Sequence, residues 1–185
     1  MKIILIRHGK PDIETDCKCT ADKMAEWIAA YDHSEVRENP PAALVNLLSM
    51  HRSLSVASPL PRAITSLNKL GIEPTVIDPD FREAQLPLIN LLGLELSPLT
   101  YAFWLRILWL AGFSAKVESR SQAQKRAAQA AGKLIKLAEN NQTALLMGHG
   151  IFNRMLGARL EKEGFSVTGK TGKGYWHAVT YEKSH

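Results

Sequence analysis

Two short stretches constrain this chain more than anything else in it: "KIILIRHGKP" at the start and "TALLMGHGIF" beginning at Thr143. Each is an apolar run that stops at a histidine followed by a glycine. A run with no polar residue on either face belongs in the middle of a sheet covered on both sides, as parallel sheets are. The polar groups at its end are then aimed out of the sheet's carboxyl edge, where ligands bind in folds of this kind.

The remainder alternates in a way that fits such a sheet. Strands are expected at Lys2–Ile6, Ser53–Ala57, Pro74–Ile77, Thr143–Met147 and Tyr175–Tyr181. Helical patterns lie between them: "TADKMAEWIAAYD", "PPAALVNLLSM", "PRAITSLNKLG" closing on Gly71 as a C-terminal cap, and the long Ala-, Gln-, Lys- and Leu-rich "SRSQAQKRAAQAAGKLIKLAEN". This alternation predicts an α/β domain of three layers, α/β/α, with a mostly parallel central sheet. At 185 residues, 45% of them hydrophobic, the chain builds one substantial core, so residues 1–185 are read as a single domain.

Bulk properties narrow the function. The formal charge is +5, but the basic residues form no block and no aromatic-interleaved stripe, which argues for attraction of a small anion and against nucleic acid. The most apolar segment, "PLTYAFWLRILWLAGF", is interrupted by Arg106 and falls short of the roughly 20 apolar residues of a membrane span. The apolar run after Lys2 ends at Arg7, shorter than the roughly 7–15 residues a secretory signal needs. Cys17 and Cys19 stand alone, with no second pair to complete a zinc site. A cytoplasmic protein is therefore expected, with no membrane partner. A homodimer is left open.

The strand ends carry the chemistry. Glycine after each histidine lets the backbone bend and brings an amide close to the imidazole's target, and helix N-termini nearby supply positive potential suited to phosphate. A third strand end, "SVASPLPRAITS", places Arg62 in the first turn of the next helix. Arg7 and Arg62 both fork onto phosphate oxygens better than lysines would.

"RHG", then "SPLPRA", then a carboxylate in "DPDFREAQLP", then "GHG" after a late strand make an ordered set that resembles the histidine phosphatase superfamily, which includes the cofactor-dependent phosphoglycerate mutases. Glu118-Ser119 followed by Arg126 is a weaker fifth match. The resemblance implies a phosphoglycerate mutase-like fold. It implies His8 as the nucleophile that becomes phosphorylated, with Arg7, Arg62 and a protonated His149 gripping the phosphoryl oxygens and Glu83 as proton donor. Ser58 and the amide of Gly150 are expected as further phosphate contacts. The chemistry of these groups agrees: imidazole attacks phosphorus in line, cations offset the transferring charge, and a carboxyl protonates the departing alkoxide. No metal or other cofactor is called for. Asp78, Asp80 and Glu95 are the alternative carboxylates.

Departures from the family pattern bear on the reaction. Lys10, Pro11, Asp12 and Ile13 follow "RHG" where the mutases carry Glu-Ser or Glu-Thr and a Trp-Asn pair, and their Gly-Trp-Glu-Gly signature is missing. Hydrolysis of a small anionic phosphomonoester is the first reading. Protein phosphohistidine, mutase-like transfer and a catalytically silent phospho-ligand binding protein are the alternatives. A helical insert at about 86–117 is expected to pack partly as core and to turn an edge, at Tyr101, Trp104 or Arg106, toward the site. "GFSVTGKT" also satisfies the P-loop pattern, but it follows a polar helix end and opens no helix. Gly164 is read as a helix cap and "GKTGKG" as a flexible turn.

Overall fold

The computed structural model describes residues 1–49, 53–89 and 95–184. Six strands form one sheet: β1 (Lys2–Arg7), β2 (Leu54–Ala57), β3 (Val76–Ile77), β4 (Thr143–Gly148), β5 (Ser166–Thr171) and β6 (Ala178–Glu182), ordered β3-β2-β4-β1-β6-β5. Neighbours from β3 to β1 are parallel, and β6 runs against both β1 and β5. The helices are α1 (Ala21–His33), α2 (Ala42–Ser49), α3 (Pro61–Lys69), α4 (Pro98–Leu110), α5 (Arg120–Asn141) and α6 (Gly150–Lys162). The expected three-layer α/β architecture is the observed one. Among the described residues no helix is long and apolar enough to cross a membrane.

The two central strands are buried on both faces, as their unbroken apolar runs require. Ile3 and Leu5 point to one side, into a core with Ala144, Leu146 and the apolar faces of α5 and α6. Ile4 and Ile6 point to the other, with Leu145, Met147 and residues of α2 and α3. Alanines 123, 127, 130, 131 and 138 form the buried stripe of α5, and the lack of bulk there lets this long helix lie close on the sheet and on α6. Ser119 starts α5 with a reciprocal cap: its Oγ accepts from the Gln122 amide at 3.2 Å, and Gln122 Oε1 accepts from the Ser119 amide at 2.7 Å.

Two expectations are corrected, and the reading of Gly164 as a cap outside any P-loop holds. The segment "SVTGKT" is strand β5, paired with β6, so Gly169–Thr171 is not a flexible turn. Gly164, at φ 89°, does follow α6 as a cap, and Thr171 leads into a turn and then β6, which removes the P-loop reading. The last strand begins at Ala178 and not at Tyr175, because Trp176 has φ 59°, a left-handed conformation that breaks extended pairing before it. Part of the insert expected at 86–117 lies outside the described residues, which also exclude Met50 at the end of the second expected helix.

The alanine stripe carries a prediction. Ala130→Leu adds bulk where exposure is 0% and should destabilise the fold by about 1–3 kcal/mol, read as a lower urea midpoint. An unchanged midpoint would mean that α5 does not depend on close approach.

Candidate active site

The sheet register builds the site. Arg7 pairs with Gly148 across β1 and β4, so the next residue of each strand, His8 and His149, emerges side by side, and the His8 amide donates to Gly148 O at 3.0 Å. Their rings meet edge to face with centroids 5.1 Å apart. On the other side of β4, Ala57 pairs with Met147, which places Ser58 beside His149, with Ser58 Oγ 2.7 Å from His149 Nε2. All three side chains are buried.

His8 has a determined orientation. Its Nδ1 lies 2.7 Å from the carbonyl oxygen of Gly9, and since a carbonyl only accepts, Nδ1 carries the proton. The lone pair is therefore on Nε2. Burial, reinforced by the charge of Arg62, holds the His8 pKa down to about 3, so this imidazole is neutral at ordinary pH. His149 is also held well below the usual histidine value, chiefly by burial and then by His8, Arg62 and Arg7. The cationic His149 expected from sequence is thus disfavoured by its own surroundings. Its Nδ1 is buried with no protein partner.

Gly9 does not offer its amide to a ligand. That amide donates to Ser66 Oγ at 2.9 Å, and Ser66 in turn donates to Arg62 O at 2.6 Å, fastening the loop after β1 to α3. A side chain at Gly9 would meet the Trp176 ring and Val36 at 2.5 Å, so glycine is required by packing. At Gly150 a Cβ would lie 3.3 Å from Arg7 Nε, so this glycine lets the guanidinium rest against the start of α6.

Arg62 is 2% exposed, and its Nη1 donates to Tyr31 O at 2.9 Å and Asp32 Oδ1 at 3.1 Å. Each arginine also lies over a tyrosine ring, Arg62 over Tyr31 at 4.6 Å and Arg7 over Tyr175 at 4.3 Å. Burial, with Tyr175 beside it, pushes the Tyr31 hydroxyl well above the usual phenol range, so it stays neutral. Nε of both arginines is buried without a protein partner.

Glu83 reaches the same place from the loop after β3. Its Oε1 accepts from the amides of Ala84 (3.1 Å) and Phe152 (2.9 Å), and its Oε2 accepts from the Ile151 amide (3.1 Å). The α6 N-terminus, expected to face phosphate, thus holds the carboxylate. Two arginines grip the loop itself. Arg126 Nη1 donates to Asp80 O (2.7 Å) and Arg82 O (2.9 Å) while its Nε and Nη2 fork onto Glu118 at 2.8 and 2.7 Å. Arg106 Nη2 donates to Ala84 O at 2.7 Å. The Glu118-Ser119 pair is then explained: the serine caps α5 and the glutamate fixes Arg126.

Arg7, Arg62 and Glu83 border one cavity of about 760 Å³, which also includes Arg106. Of the other two insert residues expected at its edge, Tyr101 is core and Trp104 is exposed outside the cavity wall. Asp78 and Asp80 are engaged by Lys133 at 2.6 and 2.7 Å, and Glu95 is not part of the cavity wall. Arg106 is thus the one of the three expected insert residues that reaches the cavity, whereas the local patterns did not mark Tyr31, Asp32, Ser66 or Tyr175. Of these, Ser66 stands one helical turn beyond Arg62, the only spacing that hinted at its place.

The sequence profile of the histidine phosphatase superfamily (branch 1) matches residues 3–171, and the chain belongs to that superfamily. No curated protein sequence matches it. Among solved structures, a mycobacterial glucosyl-3-phosphoglycerate phosphatase in complex with VO3 is 21% identical, with a TM-score of 0.62, over 97% of this chain and 91% of the other. A phosphoserine phosphatase from Entamoeba histolytica in complex with phosphoserine is 17% identical, with a TM-score of 0.57, over 100% and 91%. These likenesses establish the phosphoglycerate mutase-like fold.

The low His8 value has a consequence for stability. Between the ordinary histidine value of 6.5 and about 3, the unfolded chain binds a proton at this position and the native chain does not. Stability therefore falls as pH drops through that window. His8→Asn should flatten part of this fall, read as urea midpoints at pH 7 and pH 5. Equal slopes in both proteins would show that His8 is not held neutral.

Proposed function

We propose that the chain is a phosphatase that hydrolyses a small phosphomonoester through a phosphohistidine on His8, without a metal. The observation that carries this reading is the hydrogen bond from His8 Nδ1 to Gly9 O, which leaves an unprotonated Nε2 on a ring that packs against a second histidine and feels the charges of Arg62 and Arg7. Membership of a superfamily whose solved relatives include phosphatases supports it.

In the first step His8 Nε2 attacks phosphorus and the P–O ester bond breaks. Arg7 and Arg62 stabilise the phosphoryl oxygens, His149 Nδ1 and the Ser58 hydroxyl complete the grip, and a dianion against these groups favours protonation of His149. Glu83 gives its proton to the departing alcohol oxygen. Its Oε1 already accepts two amides and its Oε2 one, so Oε2 keeps a free lone pair for the proton. In the second step water attacks phosphorus, Glu83 takes its proton, the N–P bond breaks, and neutral His8 and inorganic phosphate are released. Because His8 is held down to about 3, its protonation limits the rate only near that pH.

Two substitutions test the acid. Glu83→Gln should lower kcat on an alkyl phosphate by roughly 100-fold or more while costing far less on p-nitrophenyl phosphate, whose phenolate needs little protonation. Arg126→Lys, which cannot hold Glu118 and two carbonyls together, should show the same substrate bias at smaller size. Equal losses on both substrates would assign the proton to another group.

A further inference from the structure

The phosphate-binding arginines occupy only one end of the large cavity. The question is what the other end receives. Four α4 residues one or two turns apart, Leu99, Ala102, Phe103 and Arg106, line it together, with Trp27 and Ile28 from α1 and Leu86 and Leu88 from the loop just past Glu83. Leu88, Leu99 and Phe103 are half-exposed apolar side chains whose exposed surfaces converge on this one place.

The apolar end is continuous with the phosphate end. The Tyr31 ring lies 4.6 Å from the Arg62 guanidinium and stacks on Trp27 at a centroid distance of 5.1 Å, so one line of packed groups runs from a phosphate ligand into the apolar wall. Trp27 is fixed there by its Nε1–H, which donates to Glu14 O at 2.8 Å. The geometry of the reaction decides which part of the substrate goes where. Glu83 must touch the bridging oxygen, so the carbon bonded to that oxygen leaves on the Glu83 side, away from His8. Leu86 and Leu88 follow Glu83 directly along the chain and border that side.

We infer that the preferred substrate is the phosphate monoester of an alcohol with an extended apolar body, alkyl or aryl, seated against α4 and α1. A cavity of about 760 Å³ is far larger than a short-chain alcohol needs and lies in the range that encloses a drug-sized ligand. The insert carrying α4 is then a specificity element, and Arg106 joins it to the acid loop through Ala84 O. This inference rests on the phosphatase reading above.

The test is a homologous series: propyl, butyl, pentyl and hexyl phosphate, whose alcohols are nearly equal as leaving groups. Specificity constants should rise by about fourfold per methylene, the factor for moving one CH2 from water into an apolar site. Phe103→Ser and Leu99→Ser, at half-exposed positions, should flatten the slope, so that hexyl phosphate loses roughly tenfold more than propyl phosphate. Melting temperatures of the variants report that the fold is kept. A slope near zero in the unmodified protein, with phosphate still trapped on His8, overturns the inference and leaves the phosphatase reading standing. A slope that survives both substitutions also overturns it, because the apolar contact then lies elsewhere. No turnover of any ester and no phosphate on His8 overturns both.

Discussion

The parallel pairing of β1 with β4 is the constraint from which the rest of the site follows. The Arg7–Gly148 pair brings two histidines, separated by most of the chain, to adjacent positions on one sheet edge. A slip of one residue would turn every buried side chain of β1 to the opposite layer, exchanging Ile3 and Leu5 with Ile4 and Ile6. The two hydrophobic layers therefore hold the His8–His149 geometry, and Asn153 adds a local tie by donating from Nδ2 to Ile6 O. It also packs against Gly148, where no Cβ would fit.

Around that pair, charge and burial oppose one another. Two arginines and two buried imidazoles lie close together, so the histidines are driven neutral, while aromatic faces hold both arginines and Tyr31 O and Asp32 hold Arg62, leaving Nε of each without a protein partner. The arrangement is complementary to an anion that spreads negative charge over several oxygens. Glu83, on the same cavity, is fixed by a different means, since backbone amides at the start of α6 hold it and Arg106 and Arg126 hold its loop. The fold thus places His8 and Glu83 on different elements, each fixed independently.

Much of this was legible in the sequence because it is written in local patterns. Unbroken apolar runs gave the central strands, and the ordered motifs gave Arg7, His8, Arg62, Glu83 and His149 as one set. What was not legible depends on packing between distant segments. Tyr31 and Tyr175 look like ordinary aromatics until the fold lays them over the two arginines. Arg106 is expected at the cavity edge with Tyr101 and Trp104, but its hold on Ala84 O, and so on the Glu83 loop, appears only in the fold. The end of strand β5, Gly169–Thr171, reads as a turn because its glycine and lysine resemble loop chemistry, and only pairing with β6 makes it a strand.

On the proposed reading, His8 Nε2 carries the phosphoryl group during turnover. Rapid quenching of the protein with an alkyl phosphate, followed by peptide mapping under alkaline conditions that preserve phosphohistidine, tests it most directly. Phosphate is expected on the peptide bearing His8, labile to acid, and none on the same peptide of His8→Ala. Phosphate found on another residue, or turnover by His8→Ala at the unmodified rate, would contradict it.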